Sequence, residues 1–307
     1  MDYILTTTNL TKVYGMNHAA QDINIHIPKG NIYGLIGRNG AGKTTIMRML
    51  SGLSTPTSGS YSVYGAEGKD AEKHLSKVGV LIEAPGLYPK LSAYENLKIK
   101  CIGVGVPNAE IDTTIKELLE LVGLSDVGNK PAGSFSLGMR QRLGIALALI
   151  GDPEIIILDE PINGLDPQGI AEVRVMLEKL KNEKGITIMI SSHILDELAK
   201  IADSYGIIHE GRLLDEFTTD ELSERCGEYV TVKAPDIDAA EKVLREAGYT
   251  DLERDRDNNL RVNGALDRTD DMIEKLIAAG IKVKELYITR LSLEDYYLNM
   301  TGGNYNA

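Results

Sequence analysis

Gly37-Arg38-Asn39-Gly40-Ala41-Gly42-Lys43-Thr44 has the spacing G-x-x-x-x-G-K-[ST]. It follows the apolar run Asn31-Ile32-Tyr33-Gly34-Leu35-Ile36 and precedes Thr45-Ile46-Met47-Arg48-Met49-Leu50. The stretch therefore sits where a strand gives way to a helix, the context this spacing requires. Glycines there let the backbone curl until successive N–H groups face inward, and the helix N-terminus adds its positive dipole. That is a berth for phosphate. Lys43 can reach the β- and γ-phosphates of a nucleotide, and the hydroxyl of Thr44 can ligate Mg²⁺. A glycine-rich turn matching by accident would have no reason to carry the strand and the helix on either side.

A second element completes the chemistry. Ile155-Ile156-Ile157-Leu158 is an apolar strand that ends in Asp159 and Glu160. Asp159 is placed to hold Mg²⁺, usually through water, and Glu160 to polarise an attacking water. Adjacent acids after a buried strand sometimes cap a helix instead. The phosphate loop upstream favours the catalytic pairing.

Bulk properties narrow the class. A chain of 307 residues with 43% hydrophobic and 25% charged content has room for one large domain and a smaller one, and is no disordered segment. A formal charge of −12 argues against a long basic groove, so no nucleic-acid partner is expected. Cys101 and Cys226 form no C-x-x-C pair, which suits a reducing cytoplasm. Met1-Asp2-Tyr3 lacks a basic n-region, and no apolar run reaches bilayer-spanning length; Gly144–Leu158, the nearest, is broken by Asp152, Pro153 and Glu154. If the protein works at a membrane, another chain supplies the spanning helices.

Along the chain, Asp22–Ile27, Ser60–Tyr64 and Val78–Ile82 read as strands, with His26 on the polar face of the first. Ser92 to about Ile150 is mostly helical, and Ile111–Val122 shows one apolar stripe at helical spacing. Ile155–Leu158 and Ile186–Ile190 are near-uniform apolar runs, as buried parallel strands are. From about residue 222 the pattern becomes β-α-β-β-α-β: strands near Tyr229–Lys233, Thr250–Glu253, Leu260–Val262 and Ile281–Ile288, helices near Ile237–Ala247 and Asp271–Ala279. That order matches a split, ferredoxin-like arrangement. A last helix is expected at Leu293–Met300. This segment holds no phosphate or metal motif.

Between the phosphate loop and Asp159 lies Ser134-Phe135-Ser136-Leu137-Gly138-Met139-Arg140-Gln141-Arg142-Leu143, and there the chain resembles the ATP-binding subunits of ABC transporters. Phe135–Met139 stands where that family has Leu-Ser-Gly-Gly-Gln: Ser136 and Gly138 match, while Phe135, Leu137 and Met139 depart. Taken alone, the segment reads as a capped helix. The resemblance implies that Ser136 and Gly138 grip the γ-phosphate bound to an opposite subunit. It also implies that Tyr14 stacks on adenine, that Asn163-Gly164-Leu165-Asp166 crosses a dimer interface, and that His193 after Ser191-Ser192 contacts the γ-phosphate. Out of that order His193 reads as an ordinary surface or core histidine, and Tyr14 as core or rim. Where the family usually carries glutamine, this chain has Glu83, a harder oxygen donor for Mg²⁺ that adds negative charge beside a triphosphate. Glu83 and the Ser136–Met139 form are similar to the branch of bacitracin-resistance and lantibiotic-immunity exporters.

The implied fold is α/β: a P-loop NTPase of the ABC ATPase cassette type over residues 1–221, with a mixed sheet core and a helical subdomain over about 92–150. A small C-terminal α+β, ferredoxin-like accessory domain takes residues 222–307. The implied activity is ATP hydrolysis with Mg²⁺, powering export through a separate membrane permease after pairing with a second ABC ATPase domain. The chain would then be cytoplasmic, peripheral on the inner face of the membrane. Gly37–Thr45, Tyr14, Ser136 and Gly138 would bind nucleotide; Thr44, Glu83 and Asp159 would serve the metal; Lys43, Glu160 and His193 would act in catalysis. The apolar loop Ala84–Pro89 would receive a helix of the permease. The rival reading is a soluble ABC ATPase of DNA repair, translation or cofactor assembly. It lacks support because no long coiled-coil insertion and no second cassette are visible.

Overall fold

The computed structural model describes residues 2–226, 228–255, 257–290 and 292–302, which group into two compact units, Met1–Thr219 and Asp220–Ala307. In the first unit β1 (Tyr3–Tyr14), β2 (Asn17–Ile23) and β3 (His26–Pro28) are followed by β4 (Ile32–Ile36) and α1 (Lys43–Leu50). β5 (Ser58–Val63) and β6 (Ala66–Glu67) complete an antiparallel sheet ordered β2-β1-β5-β6, with β3 also paired to β1. Then come α2 (Gly68–His74), β7 (Val78–Leu81), α3 (Ala93–Val104), α4 (Ile111–Leu121), α5 (Leu137–Ala148), β8 (Ile155–Leu158) and α6 (Pro167–Lys184). β9 (Thr187–Ser192), α7 (Leu195–Leu198), β10 (Ser204–His209) and β11 (Arg212–Thr218) close the unit.

The second sheet runs β11-β10-β4-β9-β8-β7, parallel throughout except for β11 at its edge. β4 and β8 are buried at every residue, which is why they read as unbroken apolar runs. α1 joins the two sheets. Its Ile46, Met47, Met49 and Leu50 share one core with Leu5, Leu10, Ile23 and Ile27 of the antiparallel sheet and Leu35, Ile157 and Met189 of the parallel one. Each such side chain contributes about 1.5–3 kcal/mol on full burial, so the helix that follows the phosphate loop is anchored on both faces.

The expected strand Asp22–Ile27 is interrupted. Asp22 has φ +52°, and the Thr7 hydroxyl donates to Ile23 O at 2.8 Å while accepting from Ile25 N at 2.7 Å. One side chain thus replaces a ladder rung, and Ile23, Ile25 and Ile27 all remain buried. His26 is half-exposed, and its Nδ1 lies 2.8 Å from Glu216 Oε2.

α8 (Thr219–Cys226) starts at the last residue of the first unit, and the second unit continues with β12 (Glu228–Lys233), α9 (Ile237–Glu246), β13 (Leu252–Arg254), β14 (Leu260–Asn263), α10 (Thr269–Ala278), β15 (Glu285–Arg290) and α11 (Leu293–Thr301). Its antiparallel sheet is ordered β13-β14-β12-β15. Ala240 and Leu244 of α9 and Met272 and Leu276 of α10 pack with Val230, Val232, Leu260 and Val262 in its core. β15 begins four residues later than the expected Ile281, because Ile281 N–H donates to Leu276 O at 2.9 Å and closes the end of α10.

Candidate active site

The candidate residues gather at the carboxyl ends of the parallel strands, where open α/β sheets place their ligands. The phosphate loop follows β4, Glu83 follows β7, Asp159 and Glu160 follow β8, and His193 follows β9. Gly42 has φ +110°, and a Cβ there would lie 2.4 Å from Ala19 O, so only glycine fits this turn. Gly211 N–H donates to Ala41 O at 2.9 Å, and Gln21 N–H to Gly211 O at 2.7 Å. The turn between β10 and β11 therefore braces the loop from behind.

Lys43 is buried, and its ammonium donates to Gly37 O at 2.5 Å and Arg38 O at 3.3 Å. Thr44 Oγ1 donates to Asp159 Oδ2 at 2.7 Å, so two hard oxygen donors stand together at the start of α1. His193 Nδ1–H donates to Glu160 Oε2 at 2.7 Å. Lys43 Nζ lies 3.2 Å from Glu160 Oε1 as an ion pair, but without hydrogen-bond alignment, and Oε1 is a buried acceptor with no donor.

A cavity of 540 Å³ opens over the loop, lined by Tyr14, Asn17, His18, Ala19, Arg38 to Thr45, Glu160, Glu210 and Gly211. That volume suits a nucleotide. Tyr14 is 49% exposed and offers its ring to the cavity, with the Lys12 ammonium 5.0 Å from the ring centroid. Asn17, His18, Glu210 and Gly211 were not legible as site residues. They arrive through strand pairing, and no spacing in the chain announces them.

The remaining candidates lie apart from this cluster. Ser136 caps α5, its Oγ accepting from Met139 N at 3.2 Å, which is the role expected of the segment on its own. Gly138 has space beside Leu165, and a Cβ on Gly164 would meet Leu137 at 3.1 Å, so the loop after Glu160 packs against the start of α5. Asp166 caps α6 by accepting from Gly169 N at 3.0 Å. Glu83 is exposed and accepts from Arg48 Nη2 at 2.5 Å.

The glycine-rich turn leading into α1, a Thr–Asp oxygen pair and a carboxylate oxygen beside the Lys43 ammonium fit a magnesium–nucleotide site. Among the described residues no three His, Cys, Asp or Glu side chains cluster as a metal cage.

A family model described as ABC transporter matches residues 20–163. Over 308 residues the chain is 44% identical to the bacitracin transport ATP-binding protein BcrA of Bacillus licheniformis, covering 99% of each. The chain belongs to the ABC transporter ATP-binding proteins. The lantibiotic transport ATP-binding protein SrtF of Streptococcus pyogenes is 49% identical over 211 residues, 69% of this chain and 89% of that one, too short to take in both units. Among solved structures, the dimeric post-hydrolysis state of the cassette MJ0796, bound to ADP and Pi, superposes with a TM-score of 0.64 at 25% identity, covering 70% of this chain and 98% of that one. As an ABC ATPase, the chain carries an ATP-hydrolysing cassette in its first unit.

Proposed function

We propose that this chain is the ATP-hydrolysing subunit of an exporter conferring resistance to a bacitracin-like or lantibiotic-like peptide. The observation that carries the catalytic part is the partly buried Glu160 carboxylate at the mouth of the phosphate loop, one oxygen held by His193 and the other, buried, 3.2 Å from the Lys43 ammonium. Glu160 is the general base that orients water for in-line attack on the γ-phosphorus, with His193 fixing the carboxylate. Lys43 leaves its resting carbonyl partners to meet the phosphates, and Tyr14 stacks on adenine. Thr44 and Asp159 would hold Mg²⁺, which supplies charge neutralisation on the phosphate oxygens when bound.

Ser136 and Gly138 complete the site of a second cassette, a copy of this chain or a paralogue, so that ATP closes the pair. The cargo reading follows the full-length match to the bacitracin relative. The named transport roles of the relatives disfavour a soluble repair or translation ATPase. Among the described residues no helix is long and apolar enough to cross a membrane, so a permease supplies the path and holds this subunit to the inner face. A groove of 710 Å³ beside Ala84–Pro89, lined by Leu53, Val80, Gly86, Tyr88, Ile99 and Leu147, has the apolar character to seat a permease helix. The domain reading is a cassette over 1–221 and a ferredoxin-like accessory domain over 222–307, supported by the sheet order β13-β14-β12-β15.

Glu160→Gln with Mg²⁺-ATP tests the reading. Turnover should fall at least about 100-fold, and the protein should elute as a stable dimer. Normal turnover would remove Glu160 as the base, and a strictly monomeric variant would remove the composite site.

A further inference from the structure

We propose that Ser191 is a positioning residue for both acidic groups of the site: one buried hydroxyl orients the Asp159 carboxylate and fixes the backbone turn that aims Glu160. This rests on the functional reading above. The sheet register creates the contact. Leu158 of β8 pairs with Ile190 of β9, so the next rung sets Ser191 beside Asp159. Ser191 Oγ–H donates to Asp159 Oδ1 at 2.6 Å, and the same oxygen accepts from Glu160 N at 2.8 Å.

A hydroxyl has one proton and two lone pairs. Here the proton and one lone pair are committed in different directions, so the group cannot rotate without losing a bond. Asp159 is thereby gripped at both oxygens, by Ser191 from β9 and by Thr44 from α1. Glu160 has φ +50°, a left-handed conformation that a non-glycine residue keeps only when its surroundings impose it. Ser191 binds the amide of that turn, while Asn163 N–H and Gln141 Nε2 donate to its carbonyl at 3.1 and 3.4 Å. Ser191 is fully buried after Ile188-Met189-Ile190, a place where an apolar residue would otherwise be expected. Two residues on, just past the end of the same strand, His193 reaches the Glu160 side chain. The end of β9 therefore sets the backbone and the side chain of Glu160 together.

The test compares Ser191→Ala and Ser191→Thr in the full chain. It uses steady-state hydrolysis and a Mg²⁺ titration of binding to a non-hydrolysable ATP analogue. Ser191→Ala should lower kcat about 10–100-fold with little change in KM for ATP, as loss of a group that orients a metal ligand does. It should also raise the Mg²⁺ concentration for half-maximal analogue binding about tenfold. Ser191→Thr, which keeps the hydroxyl, should recover most of both. A Ser191→Ala protein with kcat and Mg²⁺ midpoint within about twofold of the parent overturns the proposal. So does an equal loss of Mg²⁺-free nucleotide binding that Ser191→Thr fails to restore, since the serine would then merely fill the strand. Normal hydrolysis by Glu160→Gln sinks the underlying reading instead, and the Mg²⁺ midpoint still judges the Asp159 contact separately.

Discussion

The carboxylate of Glu83, at the end of β7, accepts a hydrogen bond from the guanidinium of Arg48 on α1 at 2.5 Å. Glutamate at this position would bring unbalanced negative charge towards the triphosphate, and Arg48 supplies the balance from the helix that follows the phosphate loop. Both side chains are well exposed, at 63% and 41%, so the pair contributes at most about 1 kcal/mol to stability. Its effect belongs to the local field. Arg48→Ala should raise KM for Mg²⁺-ATP several-fold in low salt, and the effect should shrink as salt screens the exposed charge. Adding Glu83→Gln to that variant should restore KM. Glu83→Ala alone should weaken Mg²⁺-dependent turnover more than nucleotide affinity if the carboxylate reaches the metal during the cycle. A salt series of Mg²⁺-ATP titrations on the four proteins separates these contributions, and an unchanged magnesium titration in Glu83→Ala would count against a metal role.

Gly79 of β7 has no Cβ for a packing reason. A methyl there would lie 2.0 Å from the carbonyl oxygen of Ala148 at the end of α5. Its φ is not among the positive values of the chain, so the demand comes from close approach and not from backbone strain. Gly79→Ala should destabilise the first unit by about 1–3 kcal/mol, the usual result of overpacking. The urea midpoint should fall with no change in slope. Because α5 begins just after Ser136, the variant should also lose ATP-driven dimerisation before it loses nucleotide binding; size-exclusion chromatography with Mg²⁺-ATP reads this directly.

The parts of the site that lie on one continuous stretch were readable from the chain. The phosphate loop announces itself because glycine spacing, a buried strand and a helix start coincide within Ile32–Leu50. Asp159 and Glu160 are readable because two acids ending an apolar run need a reason. What could not be read depends on neighbours in space. The break after Ile23 depends on Thr7, distant in sequence. The Glu83–Arg48 pair joins β7 to α1, and the Ser191 link needs the β8–β9 register. Asn17, His18 and Glu210 reach the cavity through pairings that leave no periodic trace. In the second unit the alternating strands and amphipathic helices were legible because each has a single buried face. The start of β15 was not, since the turn closing α10 consumes residues that are apolar enough to pass for strand.

In the second unit Glu241 of α9 is bracketed by two guanidiniums. Arg254 donates to Oε2 at 2.7 and 2.9 Å, and Arg245 donates to Oε1 at 2.8 and 3.0 Å. Hydrogen bonds from Arg254 first, and Arg245 next, hold its carboxyl below the usual glutamate range. A carboxyl depressed in the folded state adds stability that is present above the unfolded value of about 4.3 and is lost as pH falls through the folded value. Glu241→Gln should therefore loosen α9 at pH 7 by no more than about 1 kcal/mol, since solvent screens these bonds. The gap from the parent should close in acid. Hydrogen exchange of the α9 amides, corrected for intrinsic rates, should show protection converging below pH 4; a gap constant down to pH 3 would contradict the assignment.

Tyr14 ends β1 with its ring half-exposed at the cavity, and its hydroxyl reaches only a 3.4 Å contact with Ser54 Oγ. Little holds the side chain by its oxygen, so whatever it contributes comes from the aromatic face. Base–aromatic stacking is worth about 1–3 kcal/mol per base, which sets the scale. Tyr14→Ala should raise KM for ATP by about 5- to 150-fold with kcat changed little, the signature of lost uniform binding. Tyr14→Phe should stay close to the parent, and Tyr14→Leu should fall between them, since it keeps apolar area without the ring. Titrations with ATP and with inorganic triphosphate complete the test. The triphosphate lacks a base, so its affinity should be the same in all four proteins, and a parallel loss for it in Tyr14→Ala would show that the tyrosine supports the loop and not the adenine.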